Sequence, residues 1–237
     1  MNILMISALA PVGQILKRGL ERLGHTVVLV DNPSVFDDGM KSDYPLRWVL
    51  PLKKQFGDDF DIIHVHSPNL KKFFLVYPYR HAPMVCHWHG SDLRIWKKSF
   101  PVRHWFMRHA KMNLYSTVDL AWWIHGKKKL LLCPVDTEMF KPAEKKGKGT
   151  VLFSGGSQSF KAHRVLHKDM PAYLQKFERA DVRPAMGLDT HLISITALEC
   201  ASCGLEVVQF PWMNREWVLK NADMMVIAKK LEEIYNE

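Results

Sequence analysis

The stretch "NILMISALAPVGQILKRGLERLGHTVVLVD", residues 2–31, decides the fold. Its opening, "NILMISA" (2–8), is a short apolar run of the kind that makes a buried parallel strand. Ile15, Leu16, Leu20 and Leu23 follow at helical spacing, and Gly24 reads as the stop signal. "TVVLVD" (26–31) is the next strand, which completes a strand–helix–strand unit. Working outward, the alternation recurs in "DIIHVHS" (61–67), a helical "NLKKFFLVYPY" and "APMVCHWHG" (82–90). "MNLYST" (112–117), a helix across "VDLAWWIHG" and "KKLLLCPVD" (128–136) extend it.

Such alternation predicts an α/β protein with open, mostly parallel sheets and helices on both faces. The composition shifts at "KPAEKKGKG" (141–149), rich in Lys and Gly, which reads as a linker. A second series runs through "TVLFSGG" (150–156), "ADVRPAM" (180–186) and "LEVVQF" (205–210), and "MMVIAKKLEEIYNE" closes it as an amphipathic helix. The expected architecture is two Rossmann-like, doubly wound domains, residues 1–143 and 144–237, the second strongly shortened.

The chain has 237 residues, 47% of them hydrophobic, enough for a sizeable core. No apolar run approaches the roughly 18 residues needed to cross a bilayer, and the N-terminus lacks the basic start of a signal peptide. A cytoplasmic location is the expectation. The net charge of +9 favours anionic partners such as phosphates, nucleic acid or an acidic membrane face. No nucleic-acid-binding motif accompanies it, so nucleic acid is not an expected partner. Cys200 and Cys203 form a C-x-x-C pair inside a helical pattern, without a second pair or matching histidines; they read as buried packing residues.

Ligands of open parallel sheets sit beyond the carboxyl ends of the strands, so the segments that follow each strand carry the candidate chemistry. "HVHS" brings His64 and His66; "HWHGSDLR" (87–94) brings His87, His89 and Asp92. His89 is placed to act on a substrate hydroxyl or carbonyl, or else it belongs to a plain turn with Asp92 as a helix cap. His64 and His87 alternate with apolar residues and read as core histidines. A metal held by His64, His66, His87 and His89 suits imidazole chemistry, but no carboxylate or cysteine at matching spacing completes it, and no metal is expected. In "SGGSQSFK" the Gly155–Gly156 turn lets backbone approach a phosphate while Lys161 supplies charge, without the Walker ending. In "GLDTHLISITALECA" (187–201) a helix starts near Ser194, so that Ser194, Ile195 and Thr196 lie where unpaired N–H groups attract anions. Glu199 stands further along it, eight residues after His191. The region 94–112 interleaves Trp96, Phe100, Trp105 and Phe106 with basic residues, and reads as a helix on the sheet or as a dock for an anionic membrane surface.

Taken together, "ERLGHTVVLV", "DIIHVHS", "HWHGSD", "PVDTEMFKP" (134–142), "TVLFSGG" and "TALECASCGLEVV" (196–208) resemble the retaining glycosyltransferases of the GT-B fold, in particular glycosyltransferase family 4. The resemblance implies transfer of a sugar from a nucleotide-sugar donor, UDP- or GDP-linked, to a lipid-linked or glycan acceptor, without a bound metal or other cofactor. It implies that Glu199 binds the donor ribose, as the second glutamate of the family's Glu-x7-Glu motif. Backbone from Ser194 to Thr196 would meet the diphosphate and Lys161 would neutralise it. His89 would lie near the transferred sugar, and Gly13 would lie in a glycine-rich turn lining the cleft. His191 occupies the place of the motif's first glutamate, which contacts the donor sugar. The alternative expectation is a degenerate scaffold that acts as a nucleotide-binding or partner subunit; either form is compatible with a homo-oligomer.

Overall fold

The first strand–helix–strand unit forms as the sequence predicts: β1 (Asn2–Ser7), α1 (Ala10–Arg22) and β2 (Thr26–Asp31), with β1 and β2 parallel in register from Asn2↔Thr26 to Ser7↔Asp31. Helix α1 ends in a Schellman arrangement: Gly24 adopts φ +87°, the His25 N–H reaches the Leu20 carbonyl at 3.1 Å, and the Gly24 N–H reaches Glu21 at 3.0 Å. Gly13, expected in the loop after β1, lies within α1 and is buried, because the helix begins three residues earlier. This computed structural model describes residues 1–7, 10–31, 57, 59–90, 93, 100–144, 147–154, 169–183 and 193–237.

Around that unit grows a parallel six-stranded sheet of order β2-β1-β3-β4-β5-β6. Its further members are β3 (Ile62–His66), α2 (Leu70–Val76), β4 (Met84–Trp88), α3 (Phe100–His109), β5 (Ala110–Tyr115) and β6 (Lys128–Leu130). Every residue of β3 and β4 is buried, as both faces of a doubly wound sheet require. Alternation splits the residues cleanly. Leu4, Ile6, Ile63, Val65, Met84, Cys86 and Trp88 join one apolar cluster with Phe106 of α3. His64, His66 and His87 point to the opposite face.

Two sequence expectations shorten here. "VDLAWWIHG" yields a 3-10 helix, Val118–Trp122, and β6 pairs over three residues only. Part of the basic aromatic region turns inward: Phe106 and Arg103 are buried, with the Arg103 guanidinium donating to the Leu93 carbonyl at 3.2 Å.

The second unit carries a parallel three-stranded sheet, β7 (Thr150–Ser154), β8 (Arg179–Arg183) and β9 (Glu206–Val207), in that order. Helices α4 (Met170–Leu174), α5 (Ile195–Ser202) and α6 (Arg215–Asn221) accompany it, and α7 (Met224–Asn236) ends the chain. Contacts divide the chain at Leu132/Cys133 rather than at 143/144, and they return Ala228–Glu237 to the first unit. The reason is local. "PVDTEMF" is fastened within the second unit: the Val135 N–H donates to Ala222 at 2.8 Å, and the Arg215 guanidinium donates to the carbonyls of Phe140 (2.8 Å), Ser202 (2.6 Å) and Thr137 (3.2 Å). Tyr235 and Glu237 are fastened to the first unit, where the Lys111 ammonium donates to the Tyr235 carbonyl at 2.9 Å. Among the described residues no helix is long and apolar enough to cross a membrane.

Helix α5 ends like α1. Gly204 takes φ +81°, and the Leu205 N–H reaches the Cys200 carbonyl at 3.1 Å. A Cβ there would also lie 3.3 Å from Pro142 Cγ. Gly204→Ala is therefore expected to cost about 1–2 kcal/mol, the penalty of a left-handed L-residue. Chemical denaturation followed by circular dichroism checks this; an unchanged midpoint would remove the glycine requirement.

Candidate functional site

The carboxyl ends of β3, β4 and β5 carry the densest chemistry among the described residues. Strand register sets it up: His66 lies opposite His87, so the histidines of "HVH" and "HWH" share one face and neighbouring strands. Their rings form a stack. Centroids lie 4.4 Å apart for His64 and His66, 5.1 Å for His66 and His87, and 4.2 Å for His87 and His89.

Hydrogen bonds fasten the stack from outside. His64 Nδ1 meets the Tyr235 hydroxyl at 2.6 Å, and His66 Nδ1 meets His89 Nε2 at 2.9 Å. The Ser116 hydroxyl bridges His87 Nε2 (3.2 Å) and His89 Nδ1 (2.8 Å). Between β3 and α2 the chain turns sharply, with Ser67 at φ +46°, an uncommon conformation for a residue with a Cβ. The buried Lys72 ammonium braces that turn by donating to the His66 and Ser67 carbonyls. Residues held in sparsely populated backbone conformations cluster at functional sites.

The electrostatics follow from burial. His64, His66 and His87 are fully buried, and burial pushes each well below the ordinary histidine range. His87 depresses His64 further; His64, His87, His89 and Lys72 depress His66. His89 depresses His87, against a weaker opposite pull from the nearby Leu131 backbone. Burial, then Lys72 and His64, bring His89 down to about 3. All four imidazoles are therefore neutral at neutral pH. A neutral His89 orients a hydroxyl by hydrogen bonding; it is too weak a base to accept its proton efficiently. In this arrangement both its nitrogens are engaged, so a substrate hydroxyl would have to replace either His66 or Ser116.

A second constellation lies in the other unit, after β8. Ser194 caps α5, its Oγ accepting from the Ala197 N–H at 3.2 Å. Ile195 is half-buried; Thr196 and Glu199 are buried at 1% exposure each. The Glu199 charge, after burial itself, raises the neighbouring thiols: Cys200 goes far up and Cys203 reaches about 12. Both cysteines are buried and free, and both remain protonated, as packing residues should. Asp92, Gly155, Gly156, Lys161 and His191 lie outside the described residues.

Ser116 and Tyr235 are the partners that sequence reading missed. Ser116 was within reach, since it follows the fifth strand where ligand-facing groups belong. Tyr235 is 171 residues from His64, and only the return of the chain end to the first unit brings it there.

A solved structure of AviGT4, a glycosyltransferase involved in avilamycin A biosynthesis, matches with a TM-score of 0.63 at 13% identity, over 100% of this chain and 97% of that one. The fold is of the GT-B type. A structure of UDP-N-acetylglucosamine 2-epimerase matches at TM-score 0.54 and 11% identity, over 99% of this chain and 89% of that one. At such identity the likeness concerns the fold alone. No protein-family description matches the sequence, and no curated protein matches it.

Proposed function

We propose that this chain is a glycosyltransferase that moves a sugar from a nucleotide-sugar donor, UDP- or GDP-linked, to a glycan or lipid-linked acceptor. The observation that carries the reading is α5: a Ser194-capped helix start after β8, with the buried Glu199 one turn further on. A diphosphate at the free N–H groups of the first turn would gain charge-assisted hydrogen bonds. A buried carboxylate beyond it suits the ribose hydroxyls. Lys161 and the Gly155–Gly156 turn are assigned to the diphosphate on the strength of the family resemblance, which also supports retention of configuration, membership of glycosyltransferase family 4 and independence of any cofactor. His191 is assigned to the donor sugar, and His89 to orienting a hydroxyl near it.

Calorimetry of the purified protein against UDP, GDP, ADP and their common sugars tests the proposal. The expected result is binding selective for one base, together with slow hydrolysis of the matching donor. Silence across the panel would overturn the donor assignment and leave a degenerate GT-B scaffold.

A lipid-linked acceptor requires a face that meets a membrane. Residues 94–112, which read either as a helix on the sheet or as a membrane dock, lie partly outside the described residues. Among the described residues the exposed aromatics nearest to them along the chain are Trp122 (89% exposed) and Trp123 (57%), followed by the exposed Lys127, Lys128 and Lys129. Trp at the headgroup level with lysines on anionic lipid is a favourable combination, worth about 1 kcal/mol per lysine. Co-sedimentation with phosphatidylserine vesicles is expected to fall at least about tenfold in Trp122→Ala/Trp123→Ala. Equal sedimentation of both proteins would remove this face from the proposal.

A further inference from the structure

The geometry points to a divalent metal site of the zinc class formed by His64, His66 and His87, inside the first unit. One ring nitrogen from each of the three lies within 4.8 Å of those of the other two. A second observation is independent of that distance. His64 Nε2 and His66 Nε2 are buried and make no hydrogen bond, and His87 Nδ1 has only the Leu131 backbone near it, while the other nitrogen of each ring is held by a side chain. The holders are the Tyr235 hydroxyl, His89 and the Ser116 hydroxyl. Buried polar atoms are almost always satisfied, so two orphaned imidazole nitrogens beside a third that has only a weak backbone neighbour call for a partner.

The pattern is that of metal-ligating histidines, in which one nitrogen binds the ion and an outer hydrogen bond fixes the ring and its tautomer. The chemistry of the donors agrees. Neutral imidazoles are the form that coordinates, and an all-nitrogen set suits zinc, copper or nickel rather than magnesium or calcium. Zinc–nitrogen bonds of about 2.0–2.1 Å put tetrahedral ligand atoms roughly 3.4 Å apart, so the nitrogens need to close by at most roughly 1.4 Å. The rings, which lie 16–35° from parallel, need to turn about their side-chain bonds for their lone pairs to converge on one ion. Three protein ligands leave a fourth position open for water or a substrate oxygen. The Lys72 ammonium opposes the added charge, so occupancy is best read by titration rather than by retention alone. Because His66 holds His89 through its outer nitrogen, a bound ion would also fix the His89 ring. The site touches the glycosyltransferase reading only through His89 and involves no residue assigned to the donor diphosphate; failure of the metal titration leaves nucleotide binding untouched, and absence of nucleotide binding leaves the titration untouched.

The test is a titration of the tag-free, full-length protein, freed of metal with a chelator, with cobalt(II) followed by visible absorption. Saturation near one equivalent per chain is expected, with the bands lost on adding zinc. His66→Gln and His87→Gln are expected to abolish the bands. If either fails to fold by circular dichroism, Tyr235→Phe serves, since it removes only the outer partner of His64 and should weaken binding about tenfold. No bands up to a tenfold excess of cobalt would overturn the proposal. So would bands that survive the histidine substitutions, which would place the ion elsewhere, or an unchanged affinity in Tyr235→Phe.

Discussion

Glu199→Gln is expected to weaken nucleotide-sugar binding ten- to a hundredfold while leaving the fold intact. The substitution is nearly isosteric, so the packing of a helix buried from Thr196 to Ser202 is kept. What it removes is the ionised acceptor. Hydrogen bonds to a charged group contribute about 1.5–3 kcal/mol, which converts to that range of affinity. Alanine at the same position is a poorer probe, because it also leaves a cavity in a fully enclosed helix. The cysteines report on the variant independently. Burial alone keeps the Cys203 thiol high, and Glu199 adds to it, so loss of the charge should lower that pKa from about 12 and speed alkylation of Cys203 at alkaline pH. A variant with the faster alkylation and unchanged donor affinity would show that the carboxylate had been neutralised without touching the donor, and the ribose assignment would fall.

The reach of the sequence differs from element to element, and the differences have physical causes. Residues 2–31 were legible because each local signal agrees: an apolar run, a helical period, a glycine at the left-handed stop, and a second run. The start of α5 was legible for the same reason, since Ser194 precedes an apolar helical pattern and does cap it. Gly13 was misplaced because a glycine near a strand end reads as a turn, whereas here it is taken into a helix that starts at Ala10. "KKLLLCPVD" reads as a long strand, but pairing with β5 stops at Leu130, and Val135 is drawn into the second unit by the backbone of Ala222 and Met224. That exchange also moved the boundary: composition marks 141–149, while hydrogen bonds through Arg215 mark the division near Leu132. The histidines show the limit most sharply. Period-two alternation places His64 with His66, and His87 with His89, but whether the pairs meet depends on which strands are neighbours and in what register. His64 and His87 read as core residues and His89 as a strand-end group, yet all four form one hydrogen-bonded stack when His66 falls beside His87.

Trp88→Ala is expected to cost about 3–5 kcal/mol, the largest stability loss of any substitution proposed, and to lower the thermal midpoint by roughly 6–20 °C. Trp88 is fully buried at the end of β4, on the face of the sheet opposite the histidines, within the cluster that includes Phe106 and Leu120. Its indole N–H donates to Asn113 Oδ1 at 3.0 Å. Asn113 in turn donates to the Met107 carbonyl at 3.1 Å, which ties the end of α3 to β5. Alanine therefore opens a large cavity and leaves a buried amide oxygen without its donor, two penalties with separate origins. Trp88→Phe separates them, because it keeps most of the volume and loses only the hydrogen bond, with an expected cost of about 1–3 kcal/mol. The effect should also reach the other face, since His87 and His89 flank Trp88 in the chain and their rings are held in place by that strand. If Trp88→Phe were as destabilising as Trp88→Ala, the hydrogen bond to Asn113 rather than packing would be what anchors β4. If both were silent, the strand ends that carry the histidines would owe their placement to something other than this core.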